Sequence, residues 1–169
     1  TSTRSELFLA DDPARATIVA GELALDASAR ILAMRFSFIS NLGAYVSLSG
    51  AFVPTKSTLL CIAGEYDVPV LYARVRLAVT NPSPTTAYRG AGRPITSHIL
   101  ERLIDQAAYE TGIDTVELRR RNLVKRDMFP YTAANGTVYD CGDFAGILEK
   151  ALAMADWARF DERRKDSAR

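Results

Sequence analysis

The sequence predicts an α+β fold, with antiparallel strands in its first half and helices packed on them in the second. Three observations carry that expectation. Apolar residues alternate with a period of two before residue 80 and recur every three to four residues after residue 93. The two patterns follow one another instead of alternating, which favours segregated strands and helices over βαβ units. The 169 residues are 48% hydrophobic and 24% charged, enough apolar surface for one core without covalent staples.

The elements follow in chain order. Thr17-Ile18-Val19 to Leu25 is a β-rich run, and Asp26-Ala27-Ser28-Ala29 reads as a hairpin connection. From Arg30 to Ser40 the even positions Leu32, Met34, Phe36 and Phe38 are large and apolar, with Arg35 and Ser37 between them, so one face is expected to be buried. A third strand lies in Ala73, Val75, Leu77 and Val79, alternating with Tyr72, Arg74 and Arg76. Residues 41–69 carry Gly43, Gly50, Pro54, Gly64 and Pro69 and read as an irregular excursion with a short helix around Lys56 to Cys61.

Pro94 suits the first position of a helix, where its missing N–H costs nothing. Ile95, Ile99, Leu103 and Ala107 form the stripe of that helix, Leu100 and Ile104 widen it, and Gly112 supplies its left-handed end. Asp114 and Glu117 have capping-box spacing and start a second helix through Asn122. A loop with Phe129-Pro130-Tyr131 and Asn135-Gly136 leads to a third helix after Asp143, with Phe144, Ile147, Leu148, Ala151, Ala155 and Ala158 on one stripe. Residues 1–85 are thus a β-rich part and 86–169 a loop-and-helix part of one unit.

Composition excludes several functions. The 21 Lys+Arg and 20 Asp+Glu leave a net charge of +1, so there is no electrostatic footprint for nucleic acid. No apolar run approaches the ~20 residues of a membrane span. Cys61 and Cys141 lack metal-ligand spacing and read as small core hydrophobes, and no metal site is expected. His98, the single histidine, lies off its helix's apolar stripe and reads as a surface or inter-subunit residue, not a catalytic base. Asp140 and Asp143 read as a turn and a helix cap. The basic run Arg119-Arg120-Arg121 with Lys125 and Arg126 is either a docking face for a partner or a solvated face with Glu117 paired to Arg121; neutrality favours the second. The chain opens Thr1-Ser2-Thr3 with no initiator Met, so a longer parent protein is expected.

The segment Thr86-Ala87-Tyr88-Arg89-Gly90-Ala91-Gly92-Arg93-Pro94 joins the two halves. Its glycines permit close approach to the backbone, a helix N-terminus follows, and Arg89 and Arg93 offer guanidinium forks to an anion. It is neither a dinucleotide fingerprint nor a Walker loop, lacking the third glycine and the Gly-Lys-Ser/Thr end. On physics alone it reads as a structural turn or as an anion site.

Beyond that physics, this segment resembles the cofactor loop of the molybdenum hydroxylases, the xanthine dehydrogenase/aldehyde oxidase family. Glu101-Arg102-Leu103-Ile104-Asp105, Gly112-Ile113-Asp114, and Glu117 to Asn122 fit the same family. So do Phe129-Pro130-Tyr131-Thr132, Tyr139 to Phe144, Leu42-Gly43-Ala44-Tyr45 and Tyr66-Asp67-Val68-Pro69, the later motifs resembling bacterial large subunits labelled carbon monoxide dehydrogenase. The resemblance implies a fragment of the large subunit of a cytoplasmic oxidoreductase. That subunit would hold a molybdenum-pterin cofactor in its cytosine dinucleotide form. Its partners would be the rest of the same subunit and iron–sulfur and FAD subunits, as a dimer of heterotrimers. The family's glycine-rich Phe-Gly loop and its general-base glutamate lie outside these residues, so the fragment is expected to be inactive alone, with no catalytic residue and no bound cofactor of its own.

Residue by residue, the resemblance assigns Arg89, Gly90, Ala91 and Gly92 to cofactor binding. Gly90 stands where copper-containing CO dehydrogenases have a cysteine, which argues against CO oxidation. Ala91 stands where the purine enzymes have a ring-stacking phenylalanine, and Ser57 approximately where they have a substrate-clamping arginine. Both make weak substrate-facing candidates and argue against xanthine, leaving an aldehyde or nitrogen-heterocycle carbon as the site of hydroxylation. The competing reading is a non-catalytic α+β module that docks a partner through the Arg119–Arg126 helix. A fragment is also expected to expose apolar surface in 41–69 and along Phe144–Ala158, and so to self-associate.

Overall fold

The computed structural model describes residues 3–6 and 13–167. β1 (Thr17–Leu25) and β2 (Ile31–Gly43) form the expected hairpin. Its turn closes on Asp26, whose Oδ1 accepts from the N–H groups of Ser28 (2.8 Å) and Arg30 (2.9 Å). The strand register shifts between Ala24 and Leu25. That shift corrects the predicted face. Ile31 instead of Leu32 enters the core, and Leu32 is left exposed while Met34, Phe36 and Phe38 are buried as expected.

β3 (Val70–Val79) completes a three-stranded sheet of order β1-β2-β3. It runs parallel to β2, not antiparallel as expected. The reason is the long 44–69 connection, which carries the chain back to the start of the sheet as only a crossover can. The α+β class stands with a mixed sheet. Within the crossover a helical turn begins at Val53–Ser57 and runs through Leu59, earlier than the expected Lys56, with Pro54 in its first turn.

Helix α1 (Arg93–Thr111) packs across the sheet. Leu100 and Ile104 are at the centre of its buried face, and Ile95, Ile99 and Leu103 flank them against the core. Gly112, at φ 70°, ends it. Helix α2 (Thr115–Asn122) starts as expected: Asp114 Oδ1 accepts from the N–H groups of Val116 (3.0 Å) and Glu117 (2.9 Å). Asn122, fully buried, accepts from Ile31 N–H (2.8 Å) and donates to Ala29 O (2.9 Å), fastening α2 to the hairpin turn. The core unites Phe36, Phe38, Ile62, Tyr66, Leu100 and Leu118.

Residues expected as a plain loop contain a small hairpin, β4 (Tyr131–Thr132) with β5 (Val138–Tyr139). Helix α3 (Phe144–Met154) is capped by Asp143, as expected, but ends at Met154, so Ala155 and Ala158 fall outside its stripe. Asp156, at φ 48°, breaks the chain direction before α4 (Phe160–Ser167). The cysteines are not core residues: Cys61 is half-buried in the turn that follows the helical segment, and Cys141 is exposed in the link between β5 and α3. No helix among the described residues is long and apolar enough to cross a membrane. Apolar side chains are exposed where expected, with Leu48 fully accessible and Tyr45, Phe52, Ile147 and Met154 at least half so.

Candidate functional site

The 86–94 loop departs from the sheet well after β3 ends at Val79 and forms a tight, exposed crest leading into α1. Gly90 at φ 87° and Ala91 at φ 47° are both left-handed, and Ala91 N–H donates to Tyr88 O at 2.7 Å. For Ala91 this conformation is unfavourable, so surrounding contacts must impose it.

Those contacts come from three directions. From the crossover, Ser49 Oγ accepts from Ala87 N–H (3.0 Å) and lies 2.9 Å from Thr86 Oγ1. From the helical turn, Ser57 Oγ accepts from Gly92 N–H at 3.2 Å, and Thr96 Oγ1 donates to Thr58 O at 3.0 Å. From the segment before β1, Arg15 donates to the carbonyls of Arg89 and Ala91. Gly92 is buried so closely that an added Cβ would lie 2.5 Å from Thr58 N and 2.7 Å from Val53 O. Only glycine fits there.

The structure thus joins two sequence candidates directly, Ser57 beneath Gly92, while Arg89, Gly90 and Ala91 form the crest. Ser57 is 5% exposed. Its hydroxyl engages the loop backbone, and this support has no counterpart in any local motif. Ser49 and Arg15 were likewise invisible in the sequence, because their partners lie dozens of residues away.

The amides divide into two sets. Those of Ala91, Gly92 and Arg93 are engaged within the chain, by Tyr88 O, Ser57 Oγ and Gly90 O, so the first turn of α1 offers fewer free donors than its sequence suggests. Those of Arg89 and Gly90 have no acceptor among the described residues. The side chains of Arg89 and Arg93 are exposed and have no carboxylate partner among the described residues. Unpaired backbone donors between two guanidinium groups suit a multiply charged or polar ligand, such as a phosphate or the heterocyclic edge of a pterin. No group of three or more His, Cys, Asp or Glu among the described residues is placed to hold a metal ion.

The basic helix behaves differently. Arg119 donates to Glu101 Oε2 through Nε (2.9 Å) and Nη2 (2.6 Å), and to Asp105 Oδ1 at 3.0 Å. Arg120 pairs with Glu149 at 2.6 Å, and Arg121 with Glu117 at 2.9 Å, the i,i+4 pair expected. Tyr66, buried in the core, donates to Glu101 Oε1 at 2.9 Å; burial, then the Glu101 charge, holds its phenol protonated far above the ordinary range. All three arginines of α2 thus have a carboxylate partner within the chain, and those of Arg119 and Arg120 lie on neighbouring elements. His98 is exposed on α1, as expected.

The gamma subunit of the 6-hydroxypseudooxynicotine dehydrogenase complex of Paenarthrobacter nicotinovorans is 34% identical over 170 aligned residues, which take in 98% of this chain and 21% of that subunit. The carbon monoxide dehydrogenase large chain of Hydrogenophaga pseudoflava is 32% identical over 143 residues, 81% of this chain and 17% of that one. The crystal structure of quinoline 2-oxidoreductase from Pseudomonas putida 86 superposes with a TM-score of 0.87 at 30% identity, covering 99% of this chain and 21% of that chain. The chain spans about a fifth of the length of the curated relatives it matches. Residues 1–123, the sheet, the crest and helices α1 and α2 together, match the molybdopterin cofactor-binding domain, and the chain belongs to that family.

Proposed function

We propose that this chain is part of the large subunit of a molybdenum hydroxylase and that Arg89, Gly90, Ala91 and Gly92 hold its pterin cofactor. The observation that carries this reading is the crest itself: a strained, externally braced loop whose Arg89 and Gly90 amides and Arg89 and Arg93 guanidinium groups have no partner among the described residues. Such a loop fits the phosphate-bearing tail or ring edge of a pterin dinucleotide, for which the cytosine form is proposed. When bound, that cofactor supplies the two-electron redox chemistry of hydroxylation with oxygen drawn from water.

The chain's own residues bind and orient. Arg89 and Arg93 neutralise anionic charge, the Arg89 and Gly90 amides donate to it, and Ser57 keeps Gly92 seated. The small Ala91 leaves space on the crest for a substrate ring. The proposed substrate is an aldehyde or a nitrogen-heterocycle carbon. Two of the relatives above are named for nitrogen-containing aromatics, which supports the heterocycle, and Gly90 in place of a copper-binding cysteine argues against CO. The proposed partners are the remainder of the large subunit and iron–sulfur and FAD subunits, in a cytoplasmic dimer of heterotrimers. The exposed Leu48, Tyr45, Phe52 and Met154 support cover by further polypeptide.

The test is the molybdenum and pterin content of the full-length gene product that contains these residues, purified with its co-expressed subunits. Stoichiometric molybdenum, a fluorescent pterin and cytidine monophosphate on acid hydrolysis are expected, with a clear loss of all three in Arg89→Ala. A wild-type protein without molybdenum and pterin would overturn the reading.

A further inference from the structure

The segment before β1 runs along the crest, and Arg15 occupies its middle. Thr86 N–H donates to Pro13 O at 3.0 Å, and Asn41 N–H donates to Ala16 O at 2.8 Å, so the backbone on both sides of Arg15 is tied. Between these ties Arg15 has a φ of 62°. A non-glycine residue adopts that conformation only when something else compensates. The compensation is visible in the side chain. Its Nε donates to Ala91 O at 3.3 Å, its Nη2 donates to Arg89 O, and its guanidinium lies 4.9 Å from the centroid of the Tyr88 ring.

The two carbonyls belong to the peptide units on either side of Gly90–Ala91. In a trans peptide the C=O and N–H point in opposite directions. Drawing Ala91 O toward Arg15 therefore turns Gly92 N–H away from it, and that N–H is found on Ser57 Oγ at 3.2 Å. Drawing Arg89 O toward Arg15 likewise turns Gly90 N–H away, toward the side on which it has no acceptor among the described residues. A planar fork can restrain both carbonyls and still lie on the tyrosine ring; a lysine ammonium cannot.

We propose that Arg15 is a positioning residue for the cofactor loop: by holding the Arg89 and Ala91 carbonyls it aims the Gly90 N–H outward, toward a bound anion or pterin edge. The proposal rests on the functional reading of the crest given above and goes beyond it by assigning a residue outside the loop.

The experiment compares wild type, Arg15→Gln and Arg15→Lys in the full-length gene product with its subunits, reading amide exchange in peptides spanning 86–93 together with molybdenum and pterin content. Arg15→Gln is expected to raise exchange in 86–93 about tenfold, leave 31–43 unchanged and lower cofactor content. Arg15→Lys is expected to recover little of either, because it restores charge without the fork. Should Arg15→Gln fail to fold, Arg15→Lys carries the same expectation. Unchanged exchange in 86–93 with full cofactor content in either folded variant would overturn the role of Arg15 while leaving the crest's function standing. Wild type without cofactor, but with raised exchange in the variants, would overturn the functional reading and uphold the clamp.

Discussion

Two arginine-rich regions of this molecule look alike in sequence and differ in structure. On the crest, Arg89 and Arg93 extend into solvent, and it is the backbone around them that neighbouring residues hold. On α2 the reverse obtains: Arg119, Arg120 and Arg121 each meet a carboxylate, and the side chains are what hold neighbouring elements together. The difference teaches that a cluster of like charges says nothing about function until its counter-charges are located. Here the sparser cluster is the candidate site and the denser one is framework.

The largest expected effect breaks the crest's bracing. Gly92→Val would place methyl groups against the backbone of Thr58 and Val53, which cannot move without unwinding the helical turn. Destabilisation of about 3 kcal/mol is expected in urea unfolding, at the upper end for overpacking. Wild-type stability would show that this floor yields and that the crest is not held from below.

Next comes the framework. Arg119→Met removes the cation shared by Glu101 and Asp105 and leaves Glu101 beside the buried Tyr66 hydroxyl. The cost should be about 1–3 kcal/mol, below that of a fully buried pair because Asp105 is nearly half exposed. Arg89→Met, measured in parallel, should leave the unfolding midpoint unchanged. Equal losses in the two variants would erase the distinction between the regions.

Ser57→Ala is smaller and more local. It strands the buried Gly92 N–H, which should cost about 1–2 kcal/mol, and should loosen the crest while leaving α2 untouched. Amide exchange that rises in 86–93 and not in 115–122 would bear this out; uniform change would not.

Much of the framework was legible because its signals are local. Asp114 with Glu117, Asp143, Pro94 and Gly112 each act within a turn of their own positions, and each marks a helix boundary found in the structure. The parallel pairing of β2 and β3 was not legible, since a strand's periodicity carries no information about the direction of its neighbour. Leu32 was misplaced for a related reason: one skipped residue in the β1–β2 register exchanges the faces beyond it. At the site, the crest's glycines could be read from the sequence. Its supports could not, because Arg15, Ser49 and Ser57 reach it across long separations with no motif in common.

The smallest effect tests the carboxylate side of the framework. Glu65 lies next to Tyr66 and near Glu101, and it has no salt-bridge partner among the described residues. Burial pushes its carboxyl pKa above the ordinary 4.5; a backbone hydrogen bond opposes this, the Glu101 charge adds to it, and Arg119 offsets part. A carboxyl with a raised folded-state pKa holds its proton more tightly folded than unfolded. Its contribution to stability is therefore full below the unfolded value and is lost as pH rises through the folded one. Above the folded value the carboxyl is ionised in both states, and the fold carries a poorly solvated charge. Glu65→Gln removes that charge, so the variant should melt slightly above wild type at pH 7, with the gap closing as pH falls toward about 4.5. A gap that instead widened on acidification would mean that Arg119 stabilises the Glu65 carboxylate, and would extend to it the paired arrangement already seen at Glu101 and Asp105.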